Sequence, residues 1–370
     1  MFVILENLTL ANFRQYKKRR FSFSPAVTVV VGGNGSGKTN LLEAIFLLSV
    51  GKSFKAEKDK EMVKFEDDVG RVAGVIKLTE KDIKDDEEKI DLEVVVTKGE
   101  VIGIKTQIKK YLINGVAKRM LDFVGKLKTV LFWPEDLELV TDSPSLRRRY
   151  LDSVLIQVDR EYRRTLISYE KGLRQRNKLL EAIRDHGAHR HQLIFWDQLL
   201  IRNGEYIMRK REEYIEYINN CEFSNRQIKN YRLEYDKSVI SRQRLDQYSE
   251  EEIAAGATLV GPHRDDFEFI IKNDALMLED RKERSLSHYG SRGEQRLGIL
   301  WLKLGELAYI EHIGGEKPVL LLDDILSELD HEHREIIFNV IGNQQTIMTT
   351  TDIHFIEKNR LGNAKIIELV

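Results

Sequence analysis

Apolar positions follow two rhythms along this chain. Up to about residue 140 they alternate or fall in short runs of the kind that form strands. Val27-Thr28-Val29-Val30-Val31 is a β-branched run of this type. Asn114-Gly115 stands between Tyr111-Leu112-Ile113 and Val116-Ala117-Lys118, where it predicts a two-residue hairpin. From Ser145 to about Asn220 the spacing changes to three and four residues, with Leu151, Val154, Leu155 and Val158 on one helix face. A mixed stretch follows, in which Arg232-Leu233-Glu234-Tyr235 and Asp266-Phe267-Glu268-Phe269-Ile270-Ile271 read as strands, and from Arg296 onward helix and strand alternate. The expectation is an α/β chain in two lobes. Residues 1–144 build the first, the mainly helical 145–295 the second, and 296–370 return to the first.

Chemistry enters where the first β-branched run ends. Gly32-Gly33-Asn34-Gly35-Ser36-Gly37-Lys38-Thr39 matches G-x-x-x-x-G-K-[ST] in full, and a helical pattern with Leu41, Leu42, Ala44, Ile45, Leu47 and Leu48 follows at once. Strand, glycine-rich loop and helix are the context a phosphate-binding loop needs. Glycines let backbone N–H groups curl around phosphates, and the helix N-terminus adds partial positive charge. Lys38 is then placed for the β- and γ-phosphates of ATP and Thr39 for a Mg²⁺. Far downstream, Pro318-Val319-Leu320-Leu321-Leu322-Asp323-Asp324 reads as a buried parallel strand delivering two acids at its C-terminal edge. Asp323 is placed to hold Mg²⁺ and Asp324 to orient or deprotonate the attacking water.

Between these lies Tyr289-Gly290-Ser291-Arg292-Gly293-Glu294-Gln295-Arg296, opening a helical segment. It resembles the signature motif of ATP-binding-cassette ATPases, with the Ser291 hydroxyl and the bare Gly293 N–H suited to a γ-phosphate. Ser327-Glu328-Leu329-Asp330 stands where that family has its dimer-contacting D-loop.

Further stretches resemble one family, RecF, the DNA-repair relative of the SMC and Rad50 ATPases. They are Asn12-Phe13-Arg14-Gln15-Tyr16, Gly37 through Ile45, Pro144-Ser145-Leu146-Arg147-Arg148-Arg149-Tyr150-Leu151-Asp152 and Gly261-Pro262-His263-Arg264-Asp265-Asp266. The resemblance spans residues 12–352 and implies an ATP-binding-cassette head without long coiled-coil arms. It implies a slow ATPase acting as a switch, two copies sandwiching two ATP molecules, so that Ser291 and Gly293 of one face Lys38, Thr39 and Asp323 of the other. It also places Arg14 and Tyr16 near the base and Glu135, in Pro134-Glu135-Asp136, near Mg²⁺ or its water. Implied partners are double-stranded DNA at gaps and single-strand/duplex junctions, the RecR and RecO proteins and the RecA recombinase. Glu294 stands where transporter cassettes have Gln and Asp324 where most have Glu, which points to slow turnover. A transporter ATPase subunit and a chromosome-structuring ATPase of the SMC or Rad50 kind are the alternatives. A GTPase is disfavoured because no N-K-x-D motif appears.

Composition changes little in this picture. The single cysteine, Cys221, excludes an internal disulfide, and no apolar stretch approaches the roughly 20 residues of a membrane span. The start, Met1-Phe2-Val3-Ile4-Leu5-Glu6, lacks the basic region of a signal peptide, so the expected location is cytoplasmic. With 59 Lys and Arg against 60 Asp and Glu the net charge is −1, so nucleic-acid binding must come from local clusters. Lys17-Lys18-Arg19-Arg20, Arg147-Arg148-Arg149 and Lys109, Lys110, Lys118 and Arg119 are such clusters. Arg160, Arg163, Arg164, Arg174, Arg176 and Lys178 are spaced as a helical stripe able to track phosphates, with a solvated face as the competing reading. Asp85-Asp86-Glu87-Glu88 reads as a loop tip and His186 to His191 as a surface turn, while His263 has no role derivable from sequence. Trp133, Trp196 and Trp301 read as core.

Overall fold

Strand-forming runs and apolar helices sort into two units in the computed structural model, residues 1–136 with 306–370 in one and 137–305 in the other. The structure describes residues 2–79, 88–223, 228, 230–272, 283–328, 331–352 and 364–369. Asp85, Asp86 and Glu87 of the acidic run and Leu329 and Asp330 of the D-loop-like segment lie outside the described residues.

The first unit opens with β1 (Phe2–Phe13), β2 (Tyr16–Ser22), β3 (Val27–Gly32) and α1 (Lys38–Val50). It continues through β4 (Val69–Thr79), β5 (Glu88–Thr97), a small hairpin of β6 (Glu100–Val101) and β7 (Ile104–Lys105), β8 (Lys109–Ile113), β9 (Val116–Lys118), α2 (Met120–Phe123) and β10 (Thr129–Phe132). The second unit holds α3 (Glu138–Thr141), α4 (Pro144–Val158), α5 (Arg160–His186), α6 (Leu193–Asn219), β11 (Tyr231–Asp236), α7 (Arg242–Gln247) and α8 (Ser249–Ala255). After them come β12 (Asp266–Lys272), β13 (Glu283–Ser285), α9 (Leu286–Tyr289) and α10 (Arg292–Gly314), within which the division between units falls. The first unit then closes with β14 (Val319–Asp323), α11 (Ile325–Glu328), α12 (His331–Val340), β15 (Thr346–Thr350) and β16 (Lys365–Leu369).

Two sheets build the first unit. One is antiparallel, in the order β2-β1-β4-β5-β8-β9, and the other parallel, in the order β10-β14-β15-β3-β16. Helix α1 touches β4 and β5 of the first sheet and β3, β14 and β15 of the second. That double contact explains why α1 is apolar on every side, since a helix stripe suffices only where one face meets the core. The hairpin expected at Asn114-Gly115 joins β8 to β9, with φ of 49° and 74° at its two central residues, the left-handed pair that a tight two-residue turn requires.

At the far end of β15, the buried Gln345 side chain imitates a strand partner. Its carbonyl accepts from the Leu5 N–H at 2.8 Å, and its amide donates to the carbonyls of Leu5 at 2.8 Å and Ser24 at 2.9 Å. Leu5 sits at a register shift in β1, where the ladder leaves backbone groups needing such a partner.

In the second unit α5 and α6 lie against each other, and β11, β12 and β13 form an antiparallel sheet. Trp301 is buried, as expected of core, whereas Trp133 and Trp196 are half-buried and stack edge-on against Phe54 and Phe195. His189 and His191 are exposed beside Gly187, the left-handed residue that ends α5.

Candidate functional site

The loop between β3 and α1 is shaped by its glycines. Gly37 has φ 102°, and a Cβ there would meet the Tyr16 hydroxyl at 2.6 Å, so conformation and space both demand glycine. The Tyr16 hydroxyl donates to the Gly37 carbonyl at 3.0 Å, and burial pushes its pKa up to about 12. Through this bond Tyr16 clamps the start of α1. Lys38 is buried with its ammonium donating to the carbonyls of Gly32 at 2.7 Å and Gly33 at 3.0 Å. Asn34 and Gly35 form the turn of the loop, and the buried Ser36 hydroxyl has no hydrogen-bond partner among the described residues.

Parallel registers then assemble the rest. Asp323 pairs with Thr349 across β14 and β15, and Thr349 with Val30 across β15 and β3, so the acids and the loop leave the sheet at one edge. This is where open parallel sheets bind ligands. Thr349 donates to the Asp323 carboxylate at 2.7 Å, and Thr39 hydrogen-bonds the same group. Burial is the main cause that holds the Asp323 carboxyl above the usual carboxylate range, with the Asp324 charge adding to it against the hydrogen bonds and Lys38. Asp324 has φ 52°, and one of its buried carboxylate oxygens has no partner among the described residues. A threonine hydroxyl against a carboxylate, with a second carboxylate beside them, fits a Mg²⁺ that keeps waters and takes phosphate oxygens. Glu135 is exposed just past the end of β10, the strand next to β14, and therefore at the same sheet edge.

A cavity of about 690 Å³ opens beside this loop, lined by Arg14, Gln15, Asn40, Glu61, Phe65 and Lys98 among others. Arg14 does line it, yet its guanidinium is committed elsewhere. It donates to both oxygens of Glu43, at 2.6 and 2.8 Å, and to the Glu61 carbonyl at 2.8 Å. Glu43 is fully buried in α1 and also accepts from Ser53 at 2.5 Å. The sequence signal for Glu43 was a single carboxylate inside the apolar run Leu41 to Leu48, which only a buried cation satisfies. Phe65 is 93% exposed at the cavity wall and offers a ring face, a position no periodicity announces.

Ser291 and Gly293 stand exposed at the N-terminus of α10. The Ser291 hydroxyl accepts from the Glu294 N–H at 3.2 Å, and the Glu294 carboxylate accepts from the Ser291 N–H at 2.7 Å, a reciprocal capping box. Glu294 also pairs with Arg284. The departure from Gln at this position therefore completes the helix cap.

The arginine stripe is corrected by the structure at two of its positions. Arg163 and Arg176 are buried, not aligned with an exposed face. Arg163 donates to the Ile156 carbonyl, and Arg176 is held by Asp197 at 2.8 Å and Glu252 at 2.7 Å. A three- and four-residue spacing covers a wide arc of helix, and here part of that arc faces α6 and α8. Arg160 and Arg164 are exposed, the latter paired with Glu161 at 2.5 Å.

Arg147 and Arg148 are likewise structural, reaching Asp266 at 2.6 Å and the Asp265 carbonyl at 2.8 Å. Asp265 is fully buried and accepts from the buried Arg211 at 3.1 Å and the Ser238 N–H at 2.8 Å. His263 lies between the Tyr169 hydroxyl at 2.8 Å and the Thr258 carbonyl at 2.9 Å, and burial lowers its pKa to about 4, so it is neutral.

Comparison with known proteins agrees with this geometry. Residues 4–365 match the model of the RecF/RecN/SMC N terminal domain. The chain is 32% identical to the DNA replication and repair protein RecF of Lachnoclostridium phytofermentans, over 100% of this chain and 98% of the relative. A solved structure of the recombination mediator protein RecF-ATP in the RecFOR pathway superimposes with a TM-score of 0.81 at 31% identity, covering 95% of this chain and 92% of that one. An Smc head domain from Pyrococcus furiosus shares the fold alone, with a TM-score of 0.52 at 18% identity over 99% of this chain and 93% of that one. A chain that matches at this level from end to end, and that brings the phosphate loop and the acid pair to one sheet edge, belongs to the RecF family of ATP-binding-cassette ATPases.

Proposed function

We propose that this chain is an ATP-driven clamp of recombinational DNA repair and replication restart, working in the cytoplasm on duplex DNA near gaps and single-strand/duplex junctions. Two copies sandwich two ATP molecules and assist RecA loading with RecR and RecO. The observation that carries the reading is the convergence of Lys38, Thr39, Asp323 and Asp324 at one edge of the parallel sheet.

The residues divide the work. The Lys38 ammonium, parked on the Gly32 and Gly33 carbonyls, has three donors and turns readily onto the β- and γ-phosphates. Thr39 and Asp323 would hold Mg²⁺, with Glu135 near its water, and the ion supplies charge neutralisation of the phosphates. Asp324 orients the attacking water. Ser291 and Gly293 of the second copy meet the γ-phosphate, because the Ser291 hydroxyl proton remains available after its oxygen has capped the helix. Asp324 is one methylene shorter than Glu, which suits slow turnover and a switch.

Mixing two defective variants tests this. Lys38→Ala is expected to weaken ATP binding at least tenfold and abolish hydrolysis, whereas Ser291→Arg binds ATP but neither dimerises nor hydrolyses. A mixed dimer concentrates both lesions in one composite site and leaves the other intact, so activity partly returns. Absence of rescue despite proven mixed dimers rejects the shared sites.

A further inference from the structure

The six-stranded sheet has a core face, carrying Leu8, Leu10, Val72, Ile76 and Val94, and an opposite face taken by the alternate residues. On that opposite face the strand registers set Lys18 against Ala11, Ala11 against Arg71, Arg71 against Val95 and Val95 against Lys110. One row across five strands thus reads Lys, Ala, Arg, Val, Lys. Four strand spacings make it roughly 19 Å long. Arg20 stands one step along β2, facing Thr9, which in turn faces Ala73.

Lys18, Arg20 and Lys110 are exposed and have no ion-pair partner among the described residues. Arg71 is paired with Glu93 at 2.9 Å and its side chain is 57% exposed. Small residues, Ala11, Thr9 and Ala73, lie between the charges, so an extended ligand can come down onto the sheet. We infer that this face is the duplex-DNA surface of the protein, the Lys and Arg side chains contacting phosphates along a rod laid across the strands. The inference rests on the proposed function and names the surface it needs; on α5, Arg163 and Arg176 are buried while Arg160 and Arg164 are exposed.

Two observations favour DNA over the competing explanations. Lysines on an edge strand often serve only to prevent sheet-to-sheet pairing. That accounts for β2, but Arg71 and Lys110 stand on the interior strands β4 and β8. A protein partner of any affinity takes aromatic or aliphatic anchors, and the row offers Ala11 and Val95 instead. Phosphate contacts require only the charges.

The test is the triple variant Lys18→Ala, Arg20→Ala, Lys110→Ala, with Lys110→Ala alone as a second variant that keeps the edge strand intact. Each is titrated in full-length form with a mixed-sequence duplex plus ATP at several salt concentrations, and separately with a fluorescent ATP analogue. The triple variant is expected to bind duplex at least tenfold more weakly, with its log–log salt slope shallower by about 2.7 per chain at roughly 0.9 per contact. Lys110→Ala alone is expected to flatten it by about 0.9. ATP-analogue binding stays at the wild-type level in both. Unchanged duplex affinity and slope overturn the assignment, as does loss confined to a parallel titration with polyglutamate, which makes the face a site for an acidic protein. Wild-type protein that fails to bind duplex with ATP overturns the clamp reading itself, so the two failures are distinguishable.

Discussion

The Thr349 hydroxyl holds the Asp323 carboxylate at 2.7 Å and lies 3.1 Å from the Asp324 N–H, so one side chain on β15 positions both acids at the end of β14. Thr349→Val keeps the β-branched shape and removes the hydroxyl. Losing a hydrogen bond to a buried charged group costs about 1.5–3 kcal/mol. The expected result is a turnover reduced roughly tenfold to a hundredfold, with ATP binding changed less.

The same substitution has a pH signature. The Asp323 carboxyl is already above the usual carboxylate range, and Thr349 is one of the groups pulling it down. In the metal-free enzyme its ionised form is lost as pH falls through that raised value, so kcat/KM for ATP, which reports the free enzyme, declines on the acid side. In Thr349→Val the acid limb moves to higher pH. A limb unchanged in a pH–rate profile removes Asp323 from the rate-determining ionisation.

Asp324→Asn tests the second acid. Thr39 and Asp323 remain, so ATP binding persists, while loss of the water-orienting charge slows hydrolysis about 10²–10⁴-fold. ATP-bound dimers accumulate as a consequence. Light scattering at saturating ATP reads this directly, and a monomeric variant beside a dimeric wild type removes the water-orienting role.

Arg14 and Glu43 form a pair in which the carboxylate is fully buried and the arginine side chain is 18% exposed. Arg14→Ala leaves a buried charge without its cation and is expected to destabilise the fold by about 3–5 kcal/mol. The double variant Arg14→Met, Glu43→Leu removes both charges and costs less than Arg14→Ala. Urea unfolding of the two variants decides between a structural tether and a residue held only for ATP, which would leave stability unchanged in both.

His263 gives the fold an acid sensitivity of its own. Its pKa is about 4 in the folded chain against an ordinary value of 6.5, so the unfolded chain takes the proton first. The stabilisation is complete above 6.5 and is lost as pH falls through 4, in total about 3 kcal/mol. His263→Gln is expected to show a smaller stability difference between pH 7.5 and pH 4.5 than wild type, measured by urea unfolding at each pH.

Local motifs were legible because their chemistry is contiguous. Gly32 through Thr39 needs only neighbouring residues to wrap a phosphate, and Val319 to Asp323 needs only an apolar run ending in an acid; both adopt the strand, loop and helix states their patterns predict. The Asn114-Gly115 turn was legible for the same reason, since positive φ at two adjacent residues is a property of those residues.

What periodicity could not give was the direction each charged side chain takes. Arg160 to Lys178 share a spacing, but α6 and α8 cover part of that helix, and this covering turned Arg163 and Arg176 into buried partners. Glu43 and Arg14, 29 residues apart, meet because α1 lies between two sheets. Lys18, Arg71 and Lys110 stand in one row only because β2, β1, β4, β5 and β8 pair in that order and register. Sequence by itself therefore determined the phosphate loop, the acid pair and the family, since backbone geometry and chemistry there depend on adjacent residues. Tertiary structure alone decided which basic groups face solvent and which hold the core, because a side chain's surroundings are set by strand register and helix contact between residues far apart in the chain.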